Sequence, residues 1–172
     1  LFEDFTYEAF EFFVSRSLGK RNIEIHVGEF HKEPSITILI STENRPFIID
    51  SLNSLLTKLS LQTIFIFHPV ILTVRDEDGK LQDVLNKGEG GVNESLICIK
   101  ILGSFDDVAL ESIKFEINNI IDLVDYTYSS WQTLLNKIIS ITTDIVHNKI
   151  VYEKASLPAE ETLDFLNWLQ KN

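Results

Sequence analysis

The residues best suited to binding chemistry form the turn Glu43-Asn44-Arg45-Pro46, which an apolar helical pattern follows. The first amides of a helix are unpaired, and the helix dipole makes that end positive. A carboxylate binds readily there, and a neighbouring arginine can hold it through two hydrogen bonds. The turn is therefore a candidate effector site with Arg45 as its cation. The competing interpretation is that Arg45 is a surface charge and the turn only connects two elements.

The candidate effector-binding set extends to both sides of this turn. It comprises Asn44, Arg45, Pro46, Phe47, Ile48 and His68. His68 precedes Pro69 inside an apolar run, where a structural histidine with satisfied hydrogen bonds is the competing interpretation.

Other chemically capable residues do not form a recognisable site. Two histidines lie near two glutamates, but their spacing matches no zinc pattern, so we expect no metal; these are Glu24, His26, Glu29 and His31. The run from Gly88 to Gly91 precedes a strand and lacks the lysine of a phosphate-binding loop, so we expect a connecting loop. Cys98, between two isoleucines, is expected to be a small buried hydrophobic residue. No nucleophile is paired with a base, so we predict no catalytic residue.

Composition and charge limit the function further. The 172 residues fit one domain with a helical appendage, and 44% are hydrophobic. The net charge of −11, without a Lys/Arg cluster, argues against nucleic-acid and anionic-membrane partners. One cysteine and no recognisable secretory signal lead us to expect a cytoplasmic protein. Because the chain lacks methionine and opens within an apparent helix, we expect a piece of a longer polypeptide.

Alternating and β-branched segments predict strands. They cover residues 22–27, 36–40, 63–74 and 95–102, with Asp78-Gly79 as a two-residue hairpin turn and residues 86–93 as a loop. Pro69 predicts a bulge or an edge position in the third segment.

Apolar residues at helical spacing predict the helices. They run from Thr6 as cap to Leu18, from Pro46 to Leu59, from Asp106 to Val124, from Ser129 or Ser130 to His147, and from Leu157 to the end. Residues 148–156 are expected to be connecting chain. Asp106-Asp107 is expected to cap its helix.

This order predicts an α+β sandwich. The predicted arrangement resembles the ferredoxin-like (ACT-like) module. We expect an antiparallel sheet of about four strands with helices packed on one face, plus a C-terminal helical extension. The expected divisions are an N-terminal helix in residues 1–20, the α/β domain in 21–127 and the extension in 128–172.

Several segments, in order, resemble one family. They are Asn-Arg-Pro-Phe-Ile-Ile-Asp-Ser-Leu at 44–52, His-Pro-Val at 68–70, the hairpin from Val74 to Gly79, Glu94-Ser95, and the closing Ala-Glu-Glu-Thr-Leu-Asp-Phe-Leu-Asn-Trp-Leu at 159–169. Together they resemble the N-terminal ACT-like region of the large bacterial NAD-specific glutamate dehydrogenases.

The resemblance implies a non-catalytic piece of an enzyme that converts L-glutamate, NAD+ and water to 2-oxoglutarate, ammonia and NADH. It also implies that NAD is bound by a catalytic domain outside this chain. It implies a regulatory or assembly role, a homo-oligomer, contacts with other domains of the same polypeptide, and a possible amino-acid effector. The alternatives are a purely architectural oligomerisation module and an amino-acid-sensing ACT domain of another enzyme.

Two positions depart from the usual ACT pattern. Phe47 stands where amino-acid-binding ACT domains usually carry glycine, and we expect its side chain to fill the pocket. Leu110 to Val124 keep a helical pattern where an ACT module would have its fourth strand, near residues 120–127. We therefore expect a helix there and Ile23 to Val27 to supply that strand.

Overall fold

The computed structural model describes residues 2–14, 16, 19–86, 90–154 and 158–171. The helices are α1 (Phe2–Val14), α2 (Ile48–Lys58), α3 (Asp107–His147), α4 (Lys149–Lys154) and α5 (Ala159–Lys171). The strands are β1 (Asn22–Phe30), β2 (Glu33–Glu43), β3 (Gln62–Phe67), β4 (Val70–Arg75), β5 (Leu81–Leu85) and β6 (Val92–Leu102).

Six antiparallel strands form one sheet with β6 at its centre. The order is β1-β2-β6-β4-β5, and β3 also pairs with β6. The α+β class is confirmed, with six described strands where about four were expected. The strand β1 lies beside β2, so the expectation that residues 23–27 supply the missing strand is confirmed.

The predicted strand at residues 63–74 is interrupted at His68-Pro69. Both parts lie along β6: Phe67 is opposite Cys98, and Val70 is opposite Ser95. Proline has no N–H for the ladder, but its carbonyl still accepts a bond from the amide of Leu96 at 3.1 Å. The break therefore keeps both pieces on the same partner strand, as the predicted bulge implied.

Helices cover both faces of the sheet. Helices α2 and α3 pack on one face, over a core that includes Ile38, Ile99, Leu52, Ile117 and Ile121. Helix α1 packs on the other face, where Ala9, Phe12 and Phe13 meet Leu39, Leu96 and Cys98. The expectation of helices on one face was therefore wrong, because both β2 and β6 carry apolar side chains on their two sides and both sides require cover.

Several predicted boundaries shift for local reasons. Helix α1 begins before its predicted cap, Thr6, while the predicted end at Leu18 lies outside the described residues. Helix α2 begins at Ile48, so Pro46 precedes it. The β4–β5 connection spans residues 76–80, because the Asp76 carboxylate accepts amide bonds from Asp78 and Lys80.

The C-terminal helices also differ from the prediction. Helix α3 is continuous from Asp107 to His147, where two helices were expected, because polar Tyr126 to Ser130 includes no helix breaker. Residues 149–154, expected to be connecting chain, form α4. The cap is as predicted: the Asp106 carboxylate accepts the amide of Ala109 at 2.8 Å.

The chain divides into two compact units, residues 1–124 and residues 125–172. The second unit has its own small core of Ile138, Ile145, Ala159 and Leu166. The division predicted at residue 20 remains a prediction. None of the described helices is both long and apolar enough to cross a membrane.

Candidate functional site

Ser95 joins two of the predicted site residues. Its hydroxyl donates to the side-chain oxygen of Asn44 at 3.0 Å and lies 2.9 Å from Nε2 of His68. Because the one hydroxyl proton is given to Asn44, Nε2 of His68 must donate to Ser95. The backbone N–H of Asn44 also donates to the backbone carbonyl of Asn93 at 2.8 Å. The turn before α2 is thereby fixed to the beginning of β6.

This Ser95–His68 contact is not an activated nucleophile. Ser95 is fully buried, and its proton points to Asn44 rather than to the imidazole. Burial lowers the pKa of His68, which keeps the ring neutral near pH 7. The pair therefore holds the chain break at Pro69 against the turn, and does not prepare Ser95 for attack.

Arg45 is held by its own neighbour. Its Nη2 donates to a carboxylate oxygen of Glu43 at 2.5 Å, and both side chains are about one-third exposed or less. A ligand carboxylate at this turn would compete with Glu43 for the guanidinium. The geometry thus places Arg45 beside the start of α2, already in an ion pair.

Phe47 does not fill a pocket, contrary to expectation. Its side chain is 73% exposed, and its backbone is left-handed with φ of 65°. Its carbonyl accepts the first helical bond, from the amide of Ser51, and the residue makes no side-chain capping bond. Glycine adopts this backbone conformation without penalty, whereas a residue with a Cβ pays a steric cost.

The remaining predicted residues contribute differently. Ile48 is buried in the core beneath α2, so it offers the turn only its backbone. Pro46 is exposed at the surface. The structure therefore groups Asn44 with His68 through Ser95, and separates both from the exposed side chain of Phe47.

Three charged residues that the sequence analysis did not select form a buried cluster. The carboxylate of Glu94 accepts a bond from Arg16 at 2.5 Å and three bonds from Arg75 at 2.8 to 3.1 Å. All three side chains are at most 3% exposed. Charged groups at this depth require partners, and here one carboxylate serves two guanidinium groups.

The second guanidinium charge is balanced by the end of α1. Arg75 donates to the carbonyls of Phe13 at 2.7 Å and Val14 at 3.0 Å, the last residues of α1. These carbonyls have no helical partner and lie at the negative end of the helix dipole. The guanidinium also lies 5.0 Å from the centre of the Phe13 ring, within cation–π range. Arg75 is therefore the C-terminal cap of α1.

Adjacent residues of β6 serve opposite faces of the sheet. Successive side chains of a strand point to opposite sides, so Glu94 faces α1 whereas Ser95 faces α2. Glu94 is hydrogen-bonded to Arg16 and Arg75. Ser95 is hydrogen-bonded to Asn44 and His68. The beginning of β6 therefore positions the end of α1 and the start of α2 at once.

A sequence feature could have indicated part of this cluster. Glu94 alternates with Leu96 and Cys98 along a strand whose other residues are largely apolar, and a carboxylate on a buried face requires a cation. The sequence does not identify that cation, because Arg16 is 78 residues away.

The described residues contain no cluster of His, Cys, Asp and Glu suited to a metal ion. His26 belongs to the group of histidines and glutamates considered above as metal ligands. Its Nε2 lies 3.0 Å from the carboxylate of Glu24.

We predict that Phe47→Gly is more stable than Phe47→Ala by about 1 kcal/mol. Both variants lose the same exposed ring, so their difference isolates the cost of a left-handed backbone at a residue with a Cβ. Urea unfolding followed by circular dichroism measures it. Equal stabilities would contradict the left-handed assignment.

We predict that Glu94→Gln lowers the free energy of unfolding at pH 7 by about 3–5 kcal/mol, because two buried guanidinium groups lose their counter-charge. The matched variant Glu43→Gln breaks the partly exposed pair with Arg45 and should cost about 1 kcal/mol or less. Urea titrations of the three proteins provide the comparison.

The Glu94 contribution is also expected to depend on pH. Burial acts to raise the pKa of Glu94, but the bonds and charges of Arg75 and Arg16 outweigh it and hold the pKa below the ordinary 4.5. A lowered folded-state pKa stabilises the protein above pH 4.5, and this stabilisation disappears as the pH falls through the folded value. The wild-type advantage over Glu94→Gln should therefore shrink in acid. An advantage that stays constant from pH 7 to pH 3 would refute this origin.

Comparison with known proteins identifies the family. Residues 4–117 match the family model described as glutamate dehydrogenase, ACT1 domain. The comparisons found no matching curated protein and no matching solved structure. The matched region includes most of α1, the complete sheet, α2 and the start of α3, and therefore both the turn at Asn44 and the Glu94 cluster. The chain belongs to the glutamate dehydrogenase ACT1 domain family.

Proposed function

We propose that this chain is a non-catalytic regulatory and assembly domain of an NAD-specific glutamate dehydrogenase. The oxidation of L-glutamate with NAD would take place in another domain of the same polypeptide. Family membership supports this proposal, and so do the contacts of the most reactive side chains. His68, Ser95, Arg75 and Glu94 are all engaged in hydrogen bonds that position secondary structure.

The assembly role is supported by the edge of the sheet at β3. Among the described strands, β3 pairs with β6 alone, so its other edge is open to a further strand. The strand Gln-Thr-Ile-Phe-Ile-Phe carries no charge, and the side chain of Phe67 is half exposed. Proteins that avoid pairing at an edge usually place charges there, and β1 at the opposite edge carries Glu24 and Glu29.

A second copy of this chain fits the β3 edge. Two β3 strands related by a twofold axis would pair antiparallel, and no like charges would meet along the uncharged segment. Pairing two β1 edges would instead bring their glutamates together in a chain of net charge −11. The proposed homodimer therefore joins two sheets through β3.

Phe67→Lys should weaken this dimer at least tenfold, because a charged side chain on a strand edge disfavours pairing with a second strand. The control Val27→Lys adds the same charge to the exposed opposite edge in β1. Sedimentation velocity over a concentration series measures both. A monomeric wild-type chain, or equal weakening by the two variants, would exclude the β3 interface.

A second candidate function is effector binding at the turn before α2. The observation that favours it is the conformation of Phe47, which leaves the start of α2 without a side-chain cap and next to Arg45. An amino-acid carboxylate could accept bonds from the first amides of α2 and from Arg45. The proposed site uses the backbone amides of Phe47 and Ile48, while Pro46 shapes the turn. Asn44 and His68 support the turn through Ser95.

We expect L-glutamate or L-aspartate to give a binding signal in isothermal titration calorimetry that Arg45→Ala abolishes. Arg21→Ala is the control, because it removes an arginine of equal charge that instead pairs with Asp122 and the carbonyl of Asn118. If the folded wild-type chain gives no heat with any amino acid, the effector role is excluded and a purely architectural module remains. An unchanged effector response of the whole enzyme carrying Arg45→Ala would lead to the same conclusion.

A further inference from the structure

We propose that helix α1 is a releasable cover of the second sheet face, held by a latch of Arg16, Arg75 and Glu94. In this proposal the whole of α1 leaves the sheet and returns to it. The sheet, α2 and the part of α3 up to Val124 stay folded. The inference concerns a motion within the domain, and is independent of the effector and of the β3 interface.

Among the side chains that the structure describes, the buried clusters on the two faces of the sheet differ in size. Among the described side chains, α1 contributes three buried residues, Ala9, Phe12 and Phe13, which meet three buried residues of the sheet. The face under α2 and α3 has fifteen buried residues in one continuous cluster. Regions with few buried apolar contacts open at lower free energy than the remainder of a domain. The α1 face is therefore the one expected to open first.

Among the described residues, the hydrogen bonds that hold α1 to the sheet lie at its C-terminal end, and the Glu8 carboxylate lies 3.8 Å from Nδ1 of His26 on β1. Arg75 binds the last two carbonyls of α1 and also the carbonyl of Gly79 in the β4–β5 connection. Arg16, just beyond α1, binds Glu94 on β6 and the carbonyl of Lys20. Glu94 thus connects the chain after α1 to the guanidinium that caps α1. Weakening this one group of contacts loosens the helix without disturbing the opposite core.

The chemistry of the second sheet face indicates which kind of segment covers it. Leu39, Leu96 and Cys98 offer an apolar surface, and Arg75 recognises the free carbonyls that only the end of a helix presents in this way. An amphipathic helix that ends beside Arg75 is therefore the segment that fits, and α1 is that segment in this chain.

Cys98 provides a direct probe of this opening. It is the only cysteine of the chain, it is fully buried, and it lies in the cluster beneath α1. Burial raises the pKa of its thiol to about 12, so the closed state holds almost no thiolate at neutral pH. A thiol reagent can then modify Cys98 only after α1 leaves or after the whole domain unfolds.

The test measures the rate at which Ellman's reagent modifies Cys98 in the complete 172-residue chain, across a urea series below the unfolding transition. Arg75→Lys keeps the charge but loses the fork that binds Phe13, Val14 and Glu94, so its rate without urea should rise about tenfold or more. The wild-type rate should change little at low urea, because releasing one helix exposes little surface.

Ile117→Val is the matched control. Ile117 is fully buried under the opposite face, so the substitution lowers the stability of the whole domain without touching α1. Its modification rate without urea should equal that of the wild type. Phe12→Leu provides a second variant that weakens α1 without altering the charged cluster, and its rate should rise.

The proposal is overturned if modification requires complete unfolding. In that case the wild-type rate would follow the full urea dependence of global unfolding, and Ile117→Val would accelerate modification in proportion to its loss of global stability. If Arg75→Lys does not fold, the same comparison between Phe12→Leu and Ile117→Val decides the outcome.

Discussion

The ionised carboxylate of Glu94 is the constraint on which the arrangement of the first unit depends. It lies near the beginning of the central strand β6, almost fully excluded from water, and two guanidinium groups converge on it. A charge buried in this way is costly unless it is fully paired. The chain after α1, the β4–β5 connection and β6 must therefore occupy the positions at which Arg16, Arg75 and Glu94 meet. The remaining positive charge is offset by the carbonyl end of α1.

The alternation of a β-strand extends this constraint to the other face of the sheet. Glu94 and Ser95 are neighbours in the chain but act on opposite sides. Ser95 holds Asn44 at the turn before α2 and His68 at the break between β3 and β4. A displacement at the beginning of β6 would therefore change hydrogen bonds at the end of α1 and at the proposed effector turn. This coupling gives the regulatory proposal a physical route through a few hydrogen bonds.

Sequence reasoning predicted the elements that depend on local patterns. The apolar stripe of α2, the carboxylate cap at Asp106 and an irregularity at Pro69 all follow from residues close together in the chain. Contacts between distant residues were not predictable in this way, because no local pattern identifies Arg16 or Arg75 as a partner of Glu94. The expectation of a single covered face failed for a separate reason, because β2 and β6 carry apolar side chains on both of their sides. Phe47 was misjudged because its left-handed backbone directs the ring to solvent, a property that the residue type does not reveal.

A double-mutant cycle between Arg75 and Glu94 tests the central claim most directly. The variants Arg75→Met, Glu94→Leu and the combined substitution would be compared by urea unfolding at pH 7. Arg75→Met leaves Glu94 with Arg16 alone, and Glu94→Leu leaves both guanidinium groups without their carboxylate. The double change leaves only Arg16 without it, so the cycle isolates the Arg75–Glu94 pair. The account predicts a coupling free energy of about 2–3 kcal/mol or more between the two positions. Additive effects within about 0.5 kcal/mol would contradict it, because the cluster would then not be the interaction that fixes this part of the fold.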